Sequence, residues 1–158
     1  MSDFLQRYRR EIDLALKSYI KEYFAAGLLR RSVLYALFPG GKRLRPVLAL
    51  ISGEGLGLSR KQLLPLAGAL EMIHNYTLIH DDLPAMDNDD YRRGRLTVHK
   101  KFGQALGILA GDALLTQSFE VAALSGSAQA MSYLAYASGA RGVVQGQVLD
   151  LGLGRPNK

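Results

Sequence analysis

Apolar residues recur at helical spacing along almost the whole chain. No stretch alternates with the period of two that a half-buried strand demands. Residues 3–25 show this plainly, with Phe4, Leu5, Tyr8, Ile12, Leu14, Leu16, Tyr19, Ile20 and Phe24 close to i, i+3, i+4 positions. Glycine and proline then divide the pattern. Gly27 ends the first helix, and a short helix over 31–38 stops at Pro39-Gly40-Gly41. Arg45-Pro46 opens a helix to about Ser52, with proline tolerated in the first turn. Gly53, Gly55 and Gly57 mark a loop, and Ser59 caps a long helix reaching about Asp82 with Pro65 inside it. Pro84 stops that helix, because proline lacks an amide donor and crowds the preceding turn. Residues 95–102 are expected to form a short helix, 104–123 a strongly apolar one and 128–149 the last, with Ser125-Gly126-Ser127 as a turn and Gly152 to Lys158 as loop. Several of these helices are apolar on more than one face, so the expected fold is an all-α bundle with interior helices.

Composition narrows the function classes. The 158 residues suffice for one domain with a core, and 48% hydrophobic with 22% charged residues is the balance of a soluble globular chain. Cysteine is absent, which excludes disulfides and thiolate chemistry. The polar start, MSDFLQRYRREID, is no secretory signal, and no apolar run reaches the ~18 residues of a membrane span. A cytoplasmic location is the expectation. The net charge of +6 calls for an anionic partner. The cations are spread over Lys42/Arg43/Arg45, Arg92/Arg93/Arg95 and Lys100/Lys101, with only Tyr91 and Phe102 beside them. That is too few aromatics for a base-stacking platform, and the aspartates nearby repel a phosphate backbone, so nucleic acid is not the expected partner.

Residues 80–94 carry the chemistry: HDDLPAMDNDDYRRG. Asp81, Asp82, Asp87, Asp89 and Asp90 crowd together, then Arg92, Arg93 and Gly94 follow. Clustered carboxylates suit a hard divalent cation such as Mg2+, which bridges oxygen ligands to substrate phosphates. The arginines offer planar, permanently charged donors to phosphate oxygens. On an unbroken helix Asp81 and Asp87 would point about 120° apart, so they share a cation only if the backbone bends, and Pro84 supplies the bend. A solvated acidic turn after a helix stop would read the same way.

A second cluster, Gly40-Gly41-Lys42-Arg43-Leu44-Arg45-Pro46, leads two glycines into a cationic helix start, which suits phosphate. The P-loop spacing is absent, and an exposed basic turn is the plain alternative. His74, Thr77 and Asp81 fall at i, i+3, i+7 and share one helix face, so His74 is either a core histidine or part of the acidic site. Tyr76 sits about 7.5 Å of helix rise below Asp81, as core or as the floor of a pocket. Gln147 and Asp150 are i, i+3 on an apolar helix end, where they either face the cavity or solvate the terminus.

Taken in order, GGKRLRP at 40–46, EMIHNYTLIHDDLPAMDNDDYRRG at 71–94, GDALLTQSFE at 111–120 and GQVLDL at 146–151 resemble the trans-polyprenyl diphosphate synthases, most closely the bacterial farnesyl diphosphate type. The resemblance implies an isoprenoid-synthase helical bundle around a deep cavity, usually homodimeric. It implies head-to-tail transfer: diphosphate leaves dimethylallyl or geranyl diphosphate with the help of Mg2+, and isopentenyl diphosphate attacks the allylic cation. By position, Asp81 and Asp87 would bind Mg2+ with Asp82 in support, and Arg92 would hold the allylic diphosphate. Lys42, Arg45, His74 and Arg93 would hold isopentenyl diphosphate, with Gln147 also at the substrate. Tyr76, five before the aspartate motif, and Pro84-Ala85 suggest a fifteen-carbon product.

Members of that family run about twice this length and carry a second aspartate-rich motif that this sequence lacks. After Asp90 the only acids are Asp112, Glu120 and Asp150. Residues 1–158 are therefore expected to be the N-terminal half of a polyprenyl synthetase domain, and alone to ionise the substrate poorly or not at all. The alternatives are a non-catalytic Mg2+-diphosphate binding half and a regulatory subunit of a two-chain synthase. Uncovered apolar faces predict a homodimer or higher oligomer.

Overall fold

The computed structural model describes residues 3–38 and 41–153. Within them the chain forms α1 (Asp3–Tyr23), α2 (Leu28–Leu37), α3 (Leu44–Gly55), α4 (Arg60–Asp81), a hairpin of β1 (Tyr91–Arg92) and β2 (Arg95–Leu96), α5 (Val98–Phe102), α6 (Gln104–Ala123), α7 (Ala128–Ser138) and α8 (Val143–Asp150). The all-α expectation holds, and no helix among the described residues is long and apolar enough to cross a membrane.

α4 is the central rod, packed most extensively on α6 and then on α3. Its start is set as expected: the Ser59 amide and hydroxyl both donate to Gln62 Oε1, at 3.2 and 2.8 Å. Ile12, Leu16 and Ile20 of α1, Val33 and Leu37 of α2, Leu50 of α3, Met72 of α4 and Leu114 and Val121 of α6 lose all their solvent exposure around it. Full burial of such a side chain is worth about 1.5–3 kcal/mol. α6 approaches the end of α4 over glycine. A Cβ on Gly111 would lie 2.1 Å from His80 Nε2, so only glycine admits the imidazole, which bonds the Ile108 carbonyl at 3.0 Å.

Several boundaries differ from the sequence reading: α2 begins at Leu28 rather than residue 31, and α5 at Val98 rather than residue 95. α3 runs through Gly53 instead of ending near Ser52, because a Cβ there would sit 2.1 Å from Leu63: this glycine is a packing notch, and the turn falls at Gly57, φ +79°. The span 128–149 is two helices, not one. It breaks at Gly139–Gly142, where a Cβ on Gly142 would come within 1.9 Å of the Ala137 carbonyl. Residues 91–96 form a hairpin of two-residue strands, too short to show a period in sequence. Its turn, Arg93-Gly94, has successive φ values of +53° and +75°, as a type I′ turn requires. The expected helix stop at Pro39-Gly40 and the loop beyond Leu153 lie outside the described residues.

Candidate functional site

The acidic run is gathered by its backbone. Asp82 caps α4, and Pro84 follows where the helix can no longer continue. The chain then folds back on itself. Met86 and Asn88 donate their amides to the Leu83 carbonyl at 2.9 and 3.1 Å, Asn88 with φ +55°. The Asp87 amide donates to the Asp81 carbonyl at 2.8 Å. This return overcomes the angular divergence of a straight helix and sets Asp87 beside Asp81. Burial raises the Asp81 carboxyl above its ordinary pKa and the charge of Asp87 raises it further, against the pull of Arg92, the Gln147 amide and His80.

Asp82 faces elsewhere. It is 3% exposed, and its Oδ1 accepts from Arg92 Nε at 2.5 Å. Arg92 Nη2 also lies 3.5 Å from Asp89. Burial raises the Asp82 pKa, and Arg92 opposes that rise. Asp81 and Asp82 thus divide their work, one carboxyl toward Asp87 and the other as the anchor of an arginine.

Asp81 lines a cleft of about 440 Å³ between α4, α7 and α8. His74 and Thr77 line it too, as their spacing required, together with Arg45 and Gln147. Its remaining walls include Leu70, Ile73, Leu134, Ala137 and Val143. Gln147 Nε2 donates to Asp81 Oδ1, which settles the choice left open for α8: Gln147 turns into the cleft, whereas Asp150 is exposed at the helix end.

The cations converge beside this cleft. Arg45 Nη1 is 3.4 Å from His74 Nε2, so the ring nitrogen accepts and the imidazole is neutral. Burial lowers the His74 pKa first, then Arg45; Glu71 opposes them, and Arg93 and Arg43 lower it further. Arg93, from the hairpin turn, lays its guanidinium on Gly41, where an added Cβ would be 2.9 Å from the guanidinium carbon. The glycine-rich cationic segment and the Arg-Arg-Gly turn, distant in sequence, therefore touch. Lys42 is exposed beside them, and Gly40 lies outside the described residues.

Tyr76 does not join this set. It is 6% exposed, stands edge-on to the His80 ring at 5.6 Å, and is absent from the lining of the cleft. Five residues carry it about 140° around α4 from Asp81, onto the side where His80 packs. Tyr76 packs in the core cluster, outside the lining of this cleft.

Sequence reasoning also missed the post under the cationic segment. Arg43 is 2% exposed and left-handed at φ +51°. It donates to Asp13 at 2.9 Å, Glu71 at 2.6 Å and the Leu37 carbonyl at 2.6 Å, joining α1, α2 and α4. Asn75 completes the group, donating to Glu71 at 3.1 Å. The available signal was Glu71 and Asn75 at i, i+4 on an otherwise apolar helix, since buried polar groups need partners.

The donor set suits a hard divalent cation: two carboxylates whose repulsion a cation would relieve, one of them, Asp81, lining an open cleft. Among the described residues no group of three or more His, Asp or Glu is arranged for a metal, so such an ion would draw its other ligands from water or substrate phosphate.

Residues 26–158 match the polyprenyl synthetase family. The chain is 46% identical to a farnesyl diphosphate synthase of Micrococcus luteus over 158 residues, which is 96% of this chain and 54% of that protein. It is 43% identical to the farnesyl diphosphate synthase of Geobacillus stearothermophilus, over 96% of this chain and 54% of that one. A crystal structure of a geranyltransferase from Legionella pneumophila superposes with a TM-score of 0.89 at 40% identity, covering 95% of this chain and 56% of that one. The chain spans about half the length of the curated relatives it matches.

Proposed function

Because the chain belongs to the polyprenyl synthetase family, we propose that it forms the diphosphate-binding wall of a prenyltransferase that condenses isopentenyl diphosphate with dimethylallyl or geranyl diphosphate to farnesyl diphosphate. The observation that carries this reading is the return of Asp87 onto Asp81, which itself lines a cleft together with Arg45, His74 and Gln147.

In this reading Asp81 and Asp87 hold Mg2+. When bound, Mg2+ supplies Lewis-acid charge to the departing diphosphate. Asp82 fixes Arg92, which faces the allylic diphosphate from the acidic loop. Arg45, Lys42 and Arg93 provide charge for the second diphosphate, and neutral His74 can accept a proton as that anion arrives. The apolar walls from Leu70, Ile73, Leu134 and Val143 take the hydrocarbon and keep water from the allylic cation. The C–O bond of the allylic diphosphate breaks with its electron pair on oxygen. The isopentenyl double bond then closes the new C–C bond, and the resulting carbocation gives a proton to the released diphosphate as its new double bond forms. No side chain needs to form a covalent intermediate.

A second reading is a non-catalytic half or regulatory subunit that binds Mg2+ and diphosphate. It is favoured by the absence, among the described residues, of any three-ligand acidic group. The exposed Tyr133, Tyr136, Val144 and Leu149 of α7 and α8 support self-association under either reading. Radiolabelled isopentenyl diphosphate with geranyl diphosphate and Mg2+ separates the two. Farnesyl product on a chain of verified mass supports the transferase, Mg2+-dependent binding without product supports the binding half, and no diphosphate binding at all defeats both.

A further inference from the structure

The hairpin that carries Arg92 and Arg93 has four paired residues, and a two-stranded ribbon of that size is at best marginal in water. Something outside it must hold its register. Arg92 and Arg95 pair next to the turn, so the following pair, Tyr91 and Leu96, points its backbone groups outward. The outward Leu96 carbonyl meets Tyr35 of α2, whose hydroxyl donates to it at 2.8 Å. The same ring lies 4.0 Å from the Arg95 guanidinium and 4.2 Å from Lys101 Nζ, and Phe102 meets it edge-on at 5.3 Å. Arg95 further donates to the Phe38 carbonyl at 2.8 Å. One half-buried tyrosine therefore grips the hairpin by its backbone and by the cation next to the turn, and the same strand begins α5 beyond it.

We propose that Tyr35 is a positioning residue: it locks the hairpin so that Arg92 stays on Asp82 and Arg93 stays on Gly41, holding both guanidinium groups for diphosphate. The diphosphate role rests on the function proposed above, whereas the clamp does not. Tyr35 makes its hydrogen bond to Leu96 and its closest cation–π contact to Arg95, both on β2, so its effect on Arg92 and Arg93 passes through that strand.

Two variants of the 158-residue chain separate its parts. Tyr35→Phe removes the hydroxyl and keeps the ring, and Tyr35→Leu removes both the hydroxyl and the cation–π contacts. Amide hydrogen exchange over residues 91–97 should accelerate about fivefold in Tyr35→Phe, the worth of one hydrogen bond, and more in Tyr35→Leu. Exchange in α4 and α6 should stay unchanged in Tyr35→Phe. Pyrophosphate with Mg2+, followed by calorimetry, should bind Tyr35→Phe several-fold more weakly at an unchanged melting temperature. Hairpin exchange equal to wild type in both variants would overturn the clamp. Hairpin loosening with undiminished pyrophosphate affinity would overturn the link to Arg92 and Arg93. If wild type binds no pyrophosphate, the functional reading fails, and the exchange rates still decide the clamp.

Discussion

Gln147 of α8 donates its side-chain amide to the same Asp81 carboxyl that Asp87 crowds. An amide N–H stands where a cation would serve the two carboxylates better. Replacing it by a carboxylate, Gln147→Glu, should lose that bond and add a third negative charge. We expect the cation-free variant to be less stable by about 1 kcal/mol and to regain stability with Mg2+ more steeply than wild type. Thermal melts across a MgCl2 series test this, and identical Mg2+ responses would remove Gln147 from the site.

Asp81→Asn should separate function from stability. Burial and Asp87 hold the Asp81 carboxyl above its usual pKa, so its ionised form is less favourable in the fold than in the unfolded chain. Asparagine removes that charge and can still accept from Gln147. The variant should melt slightly higher at neutral pH while losing more than the ~10-fold of Mg2+ affinity that outer-shell changes cost. A lower melting temperature would contradict the charge argument.

His74 predicts a pH dependence. Its folded pKa is lowered from 6.5 by burial and by Arg45, against Glu71. As pH falls, the unfolded chain therefore takes the proton first. The unfolded state then binds more protons, so stability is intact above about pH 7 and is lost as pH drops through 6.5 toward the folded value. Urea midpoints at about pH 7.5 and about pH 5.5 should diverge more in wild type than in His74→Gln. A variant with the same divergence would assign the pH response to other groups.

Arg43 holds the cationic segment from beneath. Arg43→Met leaves Glu71, 2% exposed, without its cation, and should cost about 3–5 kcal/mol. Arg43→Met with Glu71→Met should recover most of that loss, because the unpaired buried charge goes with it. Additive losses in the double variant, read from urea titrations, would show that the pair is not coupled.

Much of the chain was legible before any coordinates. The α4 start follows from Ser59, its end from Pro84, and α6 from an apolar run framed by Gly103 and the Ser125 turn, all local signals. The shared face of His74, Thr77 and Asp81 follows from helical spacing alone. Two of the misread boundaries were glycines, and the hairpin at 91–96 was missed because two-residue strands show no period. Gly53 reads as a loop, yet it exists for Leu63, a neighbour ten residues on that sequence spacing does not reveal.

By itself, then, the sequence determined the helical class, the order of the helices and the residue types that gather around an acidic loop. Those properties depend on periodicity, caps and charge, which act within a few residues. Only the tertiary structure decided that Asp82 serves Arg92 while Asp81 meets Asp87, that Tyr76 is core, and that Arg43 is a buried post while its neighbours stay exposed. Those outcomes turn on which partner a side chain finds across the bundle and on how much water is excluded there. Both are set by contacts between segments far apart in the chain.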